Sequence, residues 1–439
     1  MYAETGLVLG LMVVVLVTAL WLRLHVALAL ILTALAGVLA SRQGEVLRHL
    51  VEGGFGYFYL LLILAAGLIL IEVLRDAGAL EVITEALASS LLPRPFWLLV
   101  VVTLALMVPG MVTGFGGVSV LTAGVFVAPL LFRAGISPVD AAAIIALASL
   151  HGMVAPPVNL PAMAIVDGIN MPYAGFTPIL SLLSFPLAFF GTFYLGGRIL
   201  RGVRASERDV ARVGLAEVRP EANPRPVRHG VFRSCLGIAF IALLFLLIRG
   251  FPEVIPDLST PLVLLVGAGV TCLGGPRRVN FLEASLRALR GPGLRLMGVL
   301  MGVGMVVQAM TLSGVRGLLV VGSLSLPSGW LFITIALGLP LLGGLLTSLG
   351  TASVLGVPFS YTLVGQDMIV TVAALSLLAS LAEFTLPTAI SGVLAAHVTG
   401  ETRYLLVWRR AALPLGVSVS AGVLTLLFAS PLGRILGGA

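Results

Sequence analysis

The chain has 439 residues, 59% of them hydrophobic and 10% charged. Soluble domains carry about a quarter charged residues, so this composition excludes a soluble globular domain and implies an all-α polytopic membrane protein. The net charge of +7 comes from arginine, lysine being absent; the arginines gather at the ends of apolar runs as topology signals do, so no nucleic-acid partner is expected.

Residues 1–4 carry no basic stretch, so no cleavable signal peptide is expected. Apolar runs predict helices near 5–22, 25–41 and 55–75, the last closing on Glu72, Arg75 and Asp76 as an interfacial ion pair. The apolar stretch 95–133 is interrupted by TGFGGVS (113–119). A helix over 137–166 follows; it opens on Ser-Pro with Asp140 as a dipole partner and is broken by HGMVAPPVN (151–159). After a helix at 173–197 comes an arginine-rich polar linker, 198–232, expected on the cytoplasmic side. Helices are then predicted near 232–249, 258–275 and 294–312, with Cys235 and Cys272 as packing residues. The stretch 329–366 is interrupted by TSLGTAS (347–353), the helix 367–398 is broken by EFTLPTA (383–389), and a helix at 404–430 closes the chain.

The halves resemble each other. PGMVTGFGGVSVL (109–121) aligns with GGLLTSLGTASVL (343–355), pairing Thr113 with Thr347, Gly116 with Gly350 and Ser119 with Ser353. LASLHGMVAPP (147–157) aligns with LASLAEFTLPT (378–388), Pro156 meeting Pro387, and Leu92-Pro93 falls on Leu326-Pro327. Upstream, IEVLRDAG (71–78) meets VQAMTLSG (307–314), placing Glu72 opposite Gln308. The expected organisation is a first repeat over 1–197, the linker 198–232, and a second repeat over 233–439. If 95–133 and 329–366 are re-entrant hairpins, each half crosses the bilayer about five times, so the copies are inverted. The N-terminus then lies outside, and most arginines inside.

Inverted repeats with interrupted helices in corresponding places mark secondary transporters. Glycines at the hairpin tips permit tight turns, hydroxyls and unwound carbonyls suit a hard cation, and helix N-termini suit a carboxylate. The candidate substrate-binding residues are Thr113, Gly116, Gly117, His151, Pro156, Asn159, Thr347, Gly350 and Thr388. The candidate cation-binding residues are Ser119, Gly152, Ser353, Glu383 and Thr385, sodium being the suspected metal. Ionisable groups inside a span are costly, so Glu383 is a candidate for cation or proton coupling, with a buried acid satisfied by hydroxyls as the plain alternative. No catalytic triad, phosphate loop or metal-ligand cluster is present in the sequence, and no enzyme activity is expected.

This order of features resembles the large membrane subunit of tripartite ATP-independent periplasmic (TRAP) transporters, within the wider ion-transporter superfamily. The resemblance spans about 50–430, and its most specific parts are RAGISPVDAAAIIALASLHGMVAPPVN (133–159) and its APPVN break. It implies a fixed scaffold and an elevator-type transport domain of hairpins and broken helices in the inner membrane. It also implies sodium-coupled uptake of carboxylates, no organic cofactor, an extracytoplasmic substrate-binding protein, and a small membrane subunit that is not expected to be fused here. The tip Gly116-Gly117-Val118-Ser119 departs from the Ser-Gly-Ser type common in the family, and the second break has one proline where members often have two. A stand-alone carboxylate symporter or a cation/proton antiporter of the same superfamily is the alternative.

Overall fold

The computed structural model of the chain describes residues 2–42, 44–56, 58–201, 230–250, 258–274, 277–290, 292–325, 327–386 and 388–436. Most of the expected linker 198–232, as well as Leu326 and Pro387, lies outside the described residues.

No strand occurs among the described residues, most of which are helical. In chain order α1 is Tyr2–Trp21, α2 Val26–Ala40, α3 Val46–Phe55, α4 Phe58–Asp76 and α5 Ala79–Leu91. Then come α6, Pro95–Thr113, and α7, Gly116–Arg133, which carries a π turn at Val120–Gly124. They are followed by α8, Pro138–Val154, α9, Leu160–Gly168, and α10, Thr177–Gly196.

The second half begins with α11, Gly230–Gly250, α12, Thr260–Gly274, and α13, Phe281–Ala288. It continues with α14, Pro292–Leu312, α15, Val315–Leu324, and α16, Ser328–Thr351, which is kinked at Thr347. A π turn at Ala352–Gly356 leads into α17, Val357–Thr362, and α18 is Met368–Ser380. The chain ends with α19, Ile390–Val398, α20, Tyr404–Leu427, and α21, Ala429–Leu436.

The helices α1, α6, α7, α10 and α20 are each long and apolar enough to cross a bilayer, and several shorter helices are equally apolar. Large apolar side chains face outward from these long helices, among them Trp21, Trp97, Val108, Leu182 and Leu405. A surface of that kind is stable only against lipid. The chain is a multi-pass membrane protein.

The helices sort into two groups by packing. In the outer group α2 packs on α14 and α4 on α12; α3 lies on α14 and α13 on α4; α1 touches α15 and α11 touches α5. Each contact made by one half is thus returned by the other with the roles exchanged. The inner group follows the same rule: α6 lies on α8 as α16 lies on α18, and α8 packs on α19 as α9 packs on α18. Helices α8 and α18 form its centre. Every residue of α8 except Val139 is buried, as is every residue of α18 from Val370 on. A helix apolar on all sides belongs in such a place.

Local chemistry fixes where these central helices start. Pro138 supplies the preset φ of a first helical turn, and the Ser137 hydroxyl accepts from the Asp140 amide at 3.2 Å. Asp367 caps α18 likewise, accepting from the Val370 amide at 3.0 Å.

Two features depart from the sequence expectation. The short helices α3, α5, α13 and α15 were not anticipated, because a hydropathy window sums over both faces of an amphipathic turn. On α3 the exposed Leu47, Val51 and Phe55 form one stripe while Arg48 pairs with Glu45 and Glu52, a surface suited to lie along a membrane interface. The arms of the first expected hairpin, at 19 and 18 residues, are each of spanning length, and the residues that open the second arm, Gly116–Ser119, are buried inside the protein.

Candidate functional site

Each half places a hairpin tip against a broken helix. In the first tip, α6 ends at Thr113 and Gly114 turns the chain at φ +68°. A side chain at Gly114 would be strained by that φ, and its Cβ would come within 2.6 Å of Leu160. The Thr113 hydroxyl donates to the Pro109 carbonyl at 2.7 Å, within reach of the Phe115 amide at 3.3 Å. Gly116 and Gly117 then open α7, fully buried. The second tip is tighter, with Thr347 as its pivot at φ +61°, ψ 173°. A β-branched residue in that region is an outlier, and strain of this kind persists where surrounding structure imposes it, often at a functional site.

The breaks are satisfied by the hairpin of their own half. After α8 the chain passes through the cis Pro156–Pro157 bond, and the Val158 amide donates to the Met111 carbonyl at 3.2 Å. After α18 a 3-10 turn, Leu381–Phe384, leads into a further turn, closed by the Ala389 amide on the Thr385 carbonyl at 3.0 Å, and the Thr388 amide donates to the Gly344 carbonyl at 3.0 Å. These crossings answer the requirement that unwound backbone inside a membrane protein find internal partners. They need contact without side chains: a Cβ on Gly152 would lie 2.6 Å from the Met107 backbone, and one on Gly344 2.3 Å from the Leu386 carbonyl oxygen.

The two tips and two breaks converge. A buried cavity of about 10 Å³, room for about one water-sized probe, lies where four helices begin. Its walls are Gly114 and Phe115 ahead of α7, Leu160 and Pro161 opening α9, Thr347 and Ser348 at the kink of α16, and Ile390 opening α19. Glu383 closes it. Its carboxylate is 1% exposed and accepts three hydrogen bonds: from the Ser348 hydroxyl at 2.8 Å, the Ser391 hydroxyl at 2.8 Å and the Ser391 amide at 3.2 Å. No ion pair to Glu383 occurs among the described residues.

Around this point lie buried hydroxyls with no hydrogen-bond partner among the described residues: Ser119, Ser149, Thr347 and Thr388. A buried polar atom without a partner is uncommon in a folded protein and points to a bound water or ion. Hydroxyls and carbonyls are the ligands a hard cation takes. Among the described residues no group of three His, Cys, Asp or Glu could hold a transition metal.

Of the candidates read from sequence, Thr113, Gly116, Gly117, Ser119, Gly152, Thr347, Glu383 and Thr388 fall at the tips and breaks. Gly350 is buried on the helix just past the Thr347 kink, Pro156 is buried within the first break, and Thr385 is half-buried at the second with its hydroxyl 3.3 Å from the Leu381 carbonyl.

Three candidates are placed differently. His151 faces α20, with Nδ1 2.8 Å from the Leu147 carbonyl and Nε2 3.1 Å from the Ser418 hydroxyl; its helical position turns it away from the tips. Asn159 caps α9 by accepting from the Ala162 amide at 2.9 Å and donates to the Val154 carbonyl and the Ser376 hydroxyl, both at 3.0 Å, so its hydrogen-bonding groups serve the fold. Ser353 is held by Arg316 of α15, which donates to its hydroxyl at 2.9 Å.

The last case is a register correction. The π turn begins just after Ser119 in the first hairpin and just after Thr351 in the second. Thr351 therefore holds the place of Ser119, and the Ser-Val-Leu identity that aligned Ser119 with Ser353 is displaced. The sequence also gave no reason to select Ser149, Ser348 or Ser391. Ser348 lies inside the quoted tip, but the link from Glu383 to Ser391 is tertiary and has no local signal.

No protein-family model matches the chain, and no curated protein matches it. The site's own geometry is therefore what speaks for its function.

Proposed function

We propose that the chain is a secondary active transporter, the large permease subunit of a TRAP-type system, that takes up an organic anion such as a dicarboxylate together with sodium. The observation that carries this reading is the meeting of four helix N-termini, two hairpin tips and two helix breaks at one buried point. Free N–H groups and aligned dipoles at helix N-termini favour a carboxylate. The orphaned hydroxyls of Ser119 and Ser149, beside the Gly152 backbone, fit a sodium ion, which would offset the charge of the anion. In the second half Thr351 holds the place of Ser119, and Ser380 that of Ser149.

The returned contacts between halves support an inverted repeat of about five crossings plus one hairpin each. The outer group, α1–α5 with α11–α15, is the scaffold; the inner group, α6–α10 with α16–α20, is the moving transport domain. The present cavity holds no volume for an organic anion, so binding requires a tip to withdraw. On this reading the protein sits in the inner membrane with residues 198–232 cytoplasmic, and works with a small membrane subunit and an extracytoplasmic binding protein. A stand-alone symporter or a cation/proton antiporter is the second reading, favoured by the one buried acid at the site, Glu383.

The test is uptake of labelled succinate and a panel of monocarboxylates into proteoliposomes, with and without the two partner proteins. An inward sodium gradient should drive accumulation that a sodium ionophore abolishes. Accumulation that is equal in choline and sodium would overturn sodium coupling, and transport of cations alone would favour the antiporter.

A further inference from the structure

We infer that the adjoining clefts at one end of α10 and α20 bind an anionic phospholipid, its headgroup held by Arg198 and Arg409 and its acyl chains laid along the two helices. The inference goes beyond transport and needs only the multi-pass architecture.

Helices α10 and α20 are both long enough to span a bilayer, and they pack on each other. The end of α10, the first turns of α20 and the start of α8 share one cleft, which therefore stands at the depth of the lipid headgroups. This cleft, of about 440 Å³, is walled by Asp140, Tyr194, Arg198, Arg409, Arg410 and Leu413 among others. A second cleft, of about 710 Å³, adjoins it through Arg409 and Arg410 and reaches Glu401 and Arg403.

Charge around the clefts does not balance. Four arginines line them against two carboxylates. Arg410 lies 3.4 Å from Asp140 and Arg403 lies 3.0 Å from Glu401, so each acid is already engaged. Arg198 and Arg409 are exposed and form no ion pair among the described residues. A guanidinium offers parallel N–H donors that match a phosphate group, and two such groups stand uncompensated beside one cleft. Arginines that serve topology alone snorkel singly toward water; these gather from the ends of two packed helices.

What lies below the arginines selects a lipid over a soluble anion. On α10 the side chains of Phe190 and Tyr194 share a face one turn apart, stacked at 5.9 Å between ring centroids, and Arg198 follows four residues on, just past the helix end. On α20, Leu413 stands one turn deeper than Arg409. Tyr194 and Leu413 line the cleft together with the arginines, and both are about half-exposed, at 49% and 47%. Each helix thus presents a guanidinium at the mouth and apolar surface toward the bilayer centre. A soluble phosphate would meet the first and leave the second bare, whereas a phospholipid covers both. All these residues belong to the inner group or to the turns at its ends, so a lipid held here ties that group to one leaflet.

The test is native mass spectrometry of the full-length protein, purified in detergent, stripped of lipid, and given equal phosphatidylglycerol and phosphatidylcholine of matched chains. The wild type should retain the anionic lipid on the order of tenfold over the zwitterionic one. The double variant Arg198→Gln with Arg409→Gln should lose that preference; both arginines are exposed, so the fold survives the change. Arg48→Gln with Arg434→Gln removes the same charge elsewhere and should keep the preference. Glycerol phosphate at the concentration of the lipid should displace nothing. Equal retention of the two lipids by the wild type, a preference kept in the cleft variant, or a preference lost in the control variant would overturn the site. Displacement by glycerol phosphate would overturn the lipid as its occupant and assign the cleft to a soluble anion.

Discussion

Ser119 and Thr351 show how much a single hydroxyl can decide. Each stands just ahead of a π turn on the inner arm of its hairpin, and each lies beside a glycine of the opposing arm: Ser119 beside Gly110, Thr351 beside Gly343. Thr351 donates to the Thr347 carbonyl at 2.6 Å, whereas the Ser119 hydroxyl has no partner among the described residues. Ser119→Ala should therefore weaken sodium activation of uptake on the order of tenfold, the loss of about one ligand bond, with little effect on melting temperature. Thr351→Val should do so more weakly, and Ser353→Ala, whose hydroxyl belongs to Arg316, should leave sodium activation unchanged. Sodium titration of uptake for the three variants checks the register. Gly152 makes the complementary case, in which the absence of a side chain matters. A methyl group there meets the Met107 backbone, which cannot rotate away, so Gly152→Ala should cost about 1–3 kcal/mol by overpacking. Thermal unfolding in detergent measures it; an unchanged midpoint would mean that the α6–α8 contact is looser than described.

Hairpins and broken helices were the elements most legible in the sequence. Gly-Thr-Ser clusters and prolines stand out inside apolar stretches, because a chain in lipid hides its backbone except where another part of the protein satisfies it. Their pairing was also legible, since the same order appears twice. What the sequence could not convey was which side chains serve the break itself and which serve a ligand. Asn159 is the clearest instance. A polar side chain at a break reads as a ligand group, but its three hydrogen bonds go to the start of α9, the end of α8 and Ser376 of α18. Asn159→Ala would remove a helix cap and leave Val154 and Ser376 with one partner fewer, a loss of about 2–4 kcal/mol from cap and buried bonds together. A marked drop in melting temperature, with sodium affinity intact in the surviving folded fraction, is the expected pattern. A selective loss of substrate affinity at normal stability would return Asn159 to the binding site. The short amphipathic helices α3 and α13 escaped the sequence reading for a different reason: their apolar and polar faces cancel in any window long enough to detect a span.

At the scale of the whole molecule, the contact pattern carries the argument. Each outer helix of one half packs on a helix of the other half, and each broken helix is flanked by the opposite half's second segment, so neither half is complete alone. The outer and inner groups meet along α5–α7 and α15–α17, where Arg133 pairs with Glu85 and, on the other side, Arg316 holds Ser353. These polar contacts lie on the seam along which an elevator would slide. The described geometry is narrow at the centre, with space for about one water between the tips and the breaks.

The central claim is that this crossing is a single transport site exposed alternately to the two sides of the membrane. The most direct measurement is the accessibility of a cysteine placed in its wall, Thr347→Cys with Cys235 and Cys272 replaced by serine, to a membrane-impermeant maleimide in oriented vesicles. The account predicts labelling from one side in sodium without substrate and from the other after the ion and anion gradients are reversed. Labelling from the same side in every condition, in a protein that still transports, would contradict it.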